Sequence, residues 1–234
     1  MTLLTIVNRV QAMCNLPVTT TVFTNTGETQ KQLLALCNMA GDVLMKEHDW
    51  QALVTEKTFT TTATEEQTDA TADLPTDMER IINETLWNRT TTDPVYGPIS
   101  AANWQAQKAT ITSGVWSQYR IRGNSFWFYP VPAAGNSVYY EYVSNKWCQS
   151  SGGTAQATWL ADSDTGRISE HLLTLGLAWR WLESKGLDYG ARYDEYEKEL
   201  AKAKARDGTR KRHSITGPVY RTVSTGRVPE GSWS

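Results

Sequence analysis

The stretch from Trp87 to Trp147 constrains the fold most. It crowds aromatic and β-branched residues into strand-like runs, while sequence patterned for helix lies on both sides of it. Phe126, Trp127, Phe128 and Tyr129 lead into Pro130-Val131-Pro132, and Val138 to Val143 then resume the β pattern. Prolines cannot donate ladder hydrogen bonds, so they mark a strand end, and the small residues Ala133 to Ser137 allow a tight connection. The pattern predicts a hairpin with its loop over residues 130–137. Upstream, Tyr119 and Ile121 enter a two-residue turn at Gly123-Asn124, with Arg120 and Arg122 on the opposite face. Two consecutive hairpins predict a small antiparallel meander set into a helical scaffold. The rings are expected to form a sheet core, packing across strands. A sugar- or base-stacking platform competes with that reading, although from Tyr119 to Trp147 only Arg120, Arg122 and Lys146 are basic.

The flanking segments show helical periodicity. Leu3, Ile6, Val10 and Met13 make a short amphipathic helix with Thr2 as its N-cap and Pro17 just beyond its end. After a threonine-rich link, Asn25 and Glu28 stand at capping-box spacing, and Leu33, Leu36, Ala40, Val43 and Leu44 form a stripe running to about Asp49. Gly41 inside that helix costs about 1 kcal/mol against alanine, which points to the close approach of a neighbouring helix. Residues 53–64 read as a strand and 65–73 as an acidic, solvated connector. For residues 76–87 the choice lies between a short helix and a turn feeding a strand near Trp87, with the turn preferred. Ser100 is the expected cap of a brief helix through Lys108.

In the C-terminal half, Ile168, Leu172, Leu175, Trp179 and Leu182 make one stripe, with Asp164 as the expected cap and Gly186 as the stop. A further helix, from Tyr189 to about Arg206, turns Tyr193, Tyr196 and Leu200 inward. The expected fold class is therefore α+β: a four-helix bundle from the N- and C-terminal helices, an inserted antiparallel sheet module and an extended C-terminal arm. The segments are residues 1–52, 53–160, 161–206 and 207–234.

The chemistry visible in the sequence is sparse. His48, His171 and His213 stand apart from one another, and Cys14, Cys37 and Cys148 are odd in number and widely spaced, reading as buried thiols. Asp162 to Arg167 opens like a calcium loop, but its glycine comes one position early and no final carboxylate ligand follows, so helix capping is the better reading. No nucleophile elbow, phosphate loop or dinucleotide fingerprint occurs. No enzyme, catalytic residue, metal or cofactor is expected. The net charge of −2 argues against a globally basic nucleic-acid binder, and the chain reads as untargeted and without a membrane span. The sequons at Asn83 and Asn88 then have no glycosylation role.

Charge concentrates at the end. From Lys198 to His213 seven basic residues face two acidic ones. Beyond them the sequence is rich in Gly, Pro and Ser yet keeps Ile215, Val219, Tyr220, Val223, Val228 and Trp233, more apolar than a solvated tail requires. An arm that orders on a partner fits this composition. Another subunit, a companion protein or the phosphates of nucleic acid are its candidate surfaces.

Leu74-Pro75, PVYGP from Pro94, YRIRGN from Tyr119, FYPVP from Phe128, EYVSNKW from Glu141, the run Gly176 to Tyr189 and EYEKEL from Glu195 resemble, in order and spacing, the head-to-tail adaptor (connector) proteins of tailed bacteriophages, including the tail tubular A proteins of short-tailed phages. That resemblance covers most of residues 1–206. It implies a structural virion protein at the head–tail junction, made in the host cytoplasm. It further implies a homo-oligomeric ring, commonly of about twelve copies, docked between the portal protein and a downstream tail or nozzle protein, with genomic DNA passing through. The arm carrying Arg210, Lys211, Arg212, Val219, Tyr220, Arg221 and Trp233 would bind the portal or a neighbouring subunit. Arg120, Arg122, Tyr129 and Tyr140 would face the tail. An aromatic-rich carbohydrate- or ligand-binding module and a DNA-binding accessory factor are the alternatives.

Overall fold

The computed structural model describes residues 1–67, 74–109 and 117–208. Of the C-terminal arm expected over residues 207–234, Asp207 instead ends helix α5, and residues 209–234, like most of the acidic connector, lie outside the described residues. The chain runs through helices α1 (Leu3–Met13) and α2 (Glu28–Lys46), a 3-10 turn at Gln51–Leu53 and strands β1 (Val54–Thr60), β2 (Met78–Ile81), β3 (Trp87–Asn88) and β4 (Asp93–Pro94). It continues with helix α3 (Ala101–Ala109) and strands β5 (Gln118–Arg122), β6 (Ser125–Tyr129), β7 (Ser137–Ser144), β8 (Cys148–Gln149), β9 (Ala155–Gln156) and β10 (Thr165–Gly166). Helices α4 (Glu170–Ser184) and α5 (Gly190–Asp207) close the described chain. The fold is α+β with antiparallel sheets.

Helix α4 is the hub of the helical part, packing against α1, α2 and α5, whereas α1 and α2 meet only slightly. This is why α4 is buried nearly all round. Leu173, Leu177 and Trp181 are covered along with the predicted Leu172 and Leu175, while Trp179 and Leu182 are only half-buried. A single stripe understated it, because a helix with three neighbours needs apolar residues on three sides. On α1, Val7 is buried and Met13 stands 41 % exposed. Tyr196 and Leu200 of α5 are buried as expected, but Tyr193 is exposed.

The caps divide into agreements and corrections. Thr2 accepts a hydrogen bond from Thr5 N at the start of α1, and Ser100 Oγ accepts from Asn103 N at the start of α3. For α2 the N-cap is Gly27, and Asn25 Oδ1 accepts instead from Gly27 N, so no capping box forms. Asp164 does not cap α4, whose N-cap is Ser169. Its Oδ2 takes the backbone N–H groups of Leu160 and Ala161, both at 2.8 Å. Asp162 Oδ1 accepts from Val22 N and Phe23 N in the same way, tying the α1–α2 link to this loop. Gly186, at φ +66°, ends α4, as its place in the sequence predicts.

The predicted meander is not what forms. β5 and β6 make the expected two-residue hairpin ribbon, with Tyr119 opposite Phe128 and Ile121 opposite Phe126. β7, however, does not pair with β6. It crosses to a different sheet, where β1, β2 and β3 all pair antiparallel with it and β4 pairs with β3. The Pro130–Ser137 connection therefore passes from one layer to the other instead of closing a hairpin. Ribbon and sheet pack face to face through Tyr119, Phe126 and Phe128 on one side and Phe59, Val138, Tyr140 and Tyr142 on the other, with Phe59 stacked on Phe126 at 5.3 Å.

A second cluster fills the helical part and takes in Val143 from the end of β7 and Trp147, Cys148 and Trp159 from the segment after it. Trp147 sits against Gly41, where a Cβ would stand 2.5 Å from the indole Cε2. The close approach inferred from Gly41 is thus real, but the neighbour is an indole from the β segment and not a helix. Its Nε1–H donates to Asp42 at 2.9 Å, and its ring meets Trp159 edge-on at 5.2 Å.

Candidate functional site

The aromatic stretch is spent mostly on packing. Trp104, Tyr119, Phe126, Phe128, Tyr140, Tyr142 and Trp147 are buried, Trp87, Trp127, Tyr129 and Tyr139 are half-buried, and Tyr96 is exposed. Burial pushes the Tyr119 phenol up to about 12 and raises Tyr140 further. No continuous row of exposed rings is present among the described residues, which removes the support for a stacking platform. Tyr140, expected on a tail-facing surface, is 1 % exposed. It belongs to the core, because alternation along β7 turns Val138, Tyr140 and Tyr142 to the ribbon and Tyr139 and Glu141 outward.

The other three tail-facing candidates come together on the outer face of the ribbon. Arg120 stands opposite Trp127 in register, and the Arg122 guanidinium lies 5.1 Å from the Trp127 ring. Tyr129 meets Trp104 edge-on and has Lys108 Nζ 5.5 Å from its ring, while Lys108 also pairs with Glu65. This surface is amphipathic, with planar rings carrying cationic tips.

The outer face of the sheet holds a groove of about 290 Å³ bordered by Glu56, Glu84, Thr85, Trp87, Arg89, Tyr139 and Glu141. Arg89 forks onto Glu56 at 3.3 and 2.6 Å and covers the Tyr139 ring at 3.7 Å. Sequence reasoning missed this constellation. Glu56 and Arg89 are 33 positions apart and carry no local pattern, and only the pairing of β1 and β3 with β7 brings them together. A second groove, of about 370 Å³, lies where α5 ends, against Trp50, Ala52, Arg167, Ile168, Ser169, Ala203, Arg206 and Asp207. Its Arg167 is already committed to the carbonyls of Lys146 and Ala52, and Asp207 accepts from Gln51 N and lies 3.3 Å from His48 Nε2. The arm residues Arg210, Lys211, Arg212, Val219, Tyr220, Arg221 and Trp233 are outside the described residues.

Two of the three thiols read as buried are built into the interior, whereas Cys14 is only half-buried and His171 is exposed. Burial pushes the Cys37 and Cys148 thiols up to about 12, which makes them poor nucleophiles. Arg180 is buried and, among the described residues, makes no ion pair. It donates to Gly176 O at 3.0 Å and lies 4.3 Å from the Trp179 ring, and burial lowers its pKa. Among the described residues no group of three His, Cys, Asp or Glu side chains could hold a metal ion, and no helix is long and apolar enough to cross a membrane.

The family model of the SU10 adaptor protein matches residues 1–222, nearly the whole chain. The chain belongs to this family. The SU10 adaptor family is one of phage structural proteins of the head-to-tail adaptor type, in agreement with the resemblance in the motifs above. No curated protein matches the chain. The family match runs through the helical part, both β layers and on past α5 into residues 209–222.

Proposed function

We propose that this SU10 adaptor family member forms a ring of about twelve copies between portal and tail, with its bore lining the path of DNA exit. The observation that carries the reading is the extent of the family match, residues 1–222, which includes the start of the basic C-terminal segment. Residues 1–52 and 161–206 supply the lateral scaffold, 53–160 the tail-side module and 207–234 an arm that orders on the portal or on a neighbouring subunit through Arg210, Lys211, Arg212, Val219, Tyr220, Arg221 and Trp233. Arg120, Arg122 and Tyr129 on the ribbon face the downstream tail or nozzle protein. Their ring-plus-cation surface suits a protein partner, since Arg and aromatic residues dominate the energetics of such contacts.

No step of this role needs covalent chemistry. A subunit with separate side faces makes heterologous contacts that close when the rotation per copy divides a full turn. Co-sedimentation with purified portal rings tests the arm: Arg210→Glu/Lys211→Glu/Arg212→Glu should weaken binding at least tenfold. Undiminished binding by that variant would remove the arm from the portal contact. DNA affinity of the unmodified protein that falls steeply with salt, with no binding to portal, would favour an accessory DNA-binding role instead.

A further inference from the structure

Among the described residues one long sheet edge stands open. β4 is two residues long and ends on Pro94, and β2 is four residues with a register shift between Met78 and Arg80, so both are blunted. The outward groups of the ribbon are taken. Tyr119 N donates to Tyr96 O and Tyr119 O accepts from Ile99 N, while Phe126 O accepts from Gln67 N and Phe128 N donates to Glu65 O. β1 differs: it runs for seven residues without proline, glycine or bulge and, among the described residues, pairs only with β7.

Which groups of β1 face outward follows from β7. On the far side of β7, Glu141 N donates to Thr85 Oγ1 and Glu141 O accepts from Ile82 N, and Ser137 O accepts from Arg89 N. Alternation then turns the backbone groups of Val138, Tyr140 and Tyr142 towards β1, where their register partners are Phe59, Lys57 and Thr55. The N–H and C=O groups of Glu56, Thr58 and Thr60 therefore point away from the sheet, and all three residues are exposed. They make three donor–acceptor sets about 6.8 Å apart, a spacing that an extended polypeptide matches. The side chains along this lane carry no unanswered charge, since Glu56 is held by the Arg89 fork and Thr58 and Thr60 are neutral.

We propose that the β1 edge takes a strand of the downstream tail protein, one per subunit, so that the sheet continues into the next component. This rests on the adaptor reading, because β1 belongs to the module that the proposed orientation turns to the tail. A second copy of the chain fits the edge less well. A contact that repeats round a ring needs two different surfaces on each copy, and the described residues offer no second open edge for β1 to meet. Pairing of β1 with β1 about a two-fold axis would stop at two copies. Each backbone hydrogen bond shifts an equilibrium by about fivefold, so the three sets together suffice for a specific contact without any charge. Thr58 and Thr60 favour β-branched or hydroxyl residues opposite them on the incoming strand.

Amide hydrogen exchange of the full-length protein, measured alone, in rings on the portal and in completed head–tail junctions, tests this directly. In the first two states the N–H groups of Glu56, Thr58 and Thr60 should exchange at the rate of an unfolded chain while those of Thr55, Lys57 and Phe59 are protected. In completed junctions the first three should slow at least a hundredfold. Thr58→Pro supplies a second arm, since a proline on the outward side of an edge strand removes no ladder bond. The variant should keep native circular dichroism and bind portal rings, yet bind purified tail protein at least tenfold more weakly. Lys57→Pro loses a bond to β7 and should melt lower, which checks the register. The proposal is overturned if the three outward amides stay fast in completed junctions, if they are already protected in the unassembled protein or in portal-bound rings, or if folded Thr58→Pro binds tail protein undiminished. Should Thr58→Pro not fold, exchange in the unmodified protein decides. Portal binding by the unmodified protein reads out separately, so failure of this contact leaves the adaptor reading standing.

Discussion

Replacing Gly41 with alanine tests the joint between the helical core and the β segment. On propensity alone the change should stabilise α2 by about 1 kcal/mol. The added methyl, however, would stand 2.5 Å from Cε2 of the fully buried Trp147 indole, against an ordinary contact distance of at least 3.4 Å, so the ring must move by about 1 Å. Overpacking of this kind costs about 1–3 kcal/mol, and the shift pulls Nε1 from Asp42, a loss of about 1 kcal/mol more. The net expectation is a destabilisation of about 2 kcal/mol, which lowers the melting midpoint by about 4–8 °C for a chain of this size. Calorimetry of Gly41→Ala in the wild-type and Trp147→Phe backgrounds is the assay. The penalty should shrink by at least about 1 kcal/mol when the indole is absent, because the two positions couple through contact. A Gly41→Ala protein as stable as wild type, or an equal penalty in both backgrounds, would refute the reasoning.

Further outcomes follow from the interior. Gly97 has φ +153° and a Cβ there would stand 2.5 Å from the Tyr119 carbonyl oxygen, so Gly97→Ala should lower the midpoint by more than Gly41→Ala, as differential scanning would show. A thiol reagent at pH 8 should leave Cys37 and Cys148 unmodified in the native protein and label all three cysteines in denaturant, counted by mass. The Tyr119 phenol is raised above its unfolded value of about 10, so the stability it contributes is intact below that pH and is lost as pH rises towards about 12. Chemical denaturation midpoints should therefore fall over that interval, and Tyr119→Phe should flatten the fall.

The helices were legible because apolar spacing reports which side of a helix is covered. Leu3, Ile6 and Val10 of α1, Leu33, Ala40 and Leu44 of α2 and Tyr196 and Leu200 of α5 all turn inward. Spacing does not say how many neighbours a helix has, which is why α4 was under-read. Phe126 to Val143 reads locally as a hairpin because strand patterning is the same whether the next strand lies beside or across. The choice is made by the rings, since Phe126 and Phe128 gain more by facing Phe59 and Tyr140 than by extending an edge. Asp164 looked like a cap because aspartate satisfies any nearby N–H groups, and those of Leu160 and Ala161 lie closer than the start of α4. The outer groove was invisible because Glu56, Arg89 and Tyr139 meet only through register. The ribbon surface was half legible, with Arg120 and Arg122 recognisable by alternation and Lys108 not.

Electron cryo-microscopy of the assembled particle measures the central claim most directly. The account predicts a closed ring of this chain at the head–tail junction, with the helical parts side by side, residues 209–234 against the portal and the Arg120–Arg122 ribbon towards the tail. A junction that lacks the chain, or a ring in which the ribbon faces the portal and the C-terminal segment faces solvent, would contradict it.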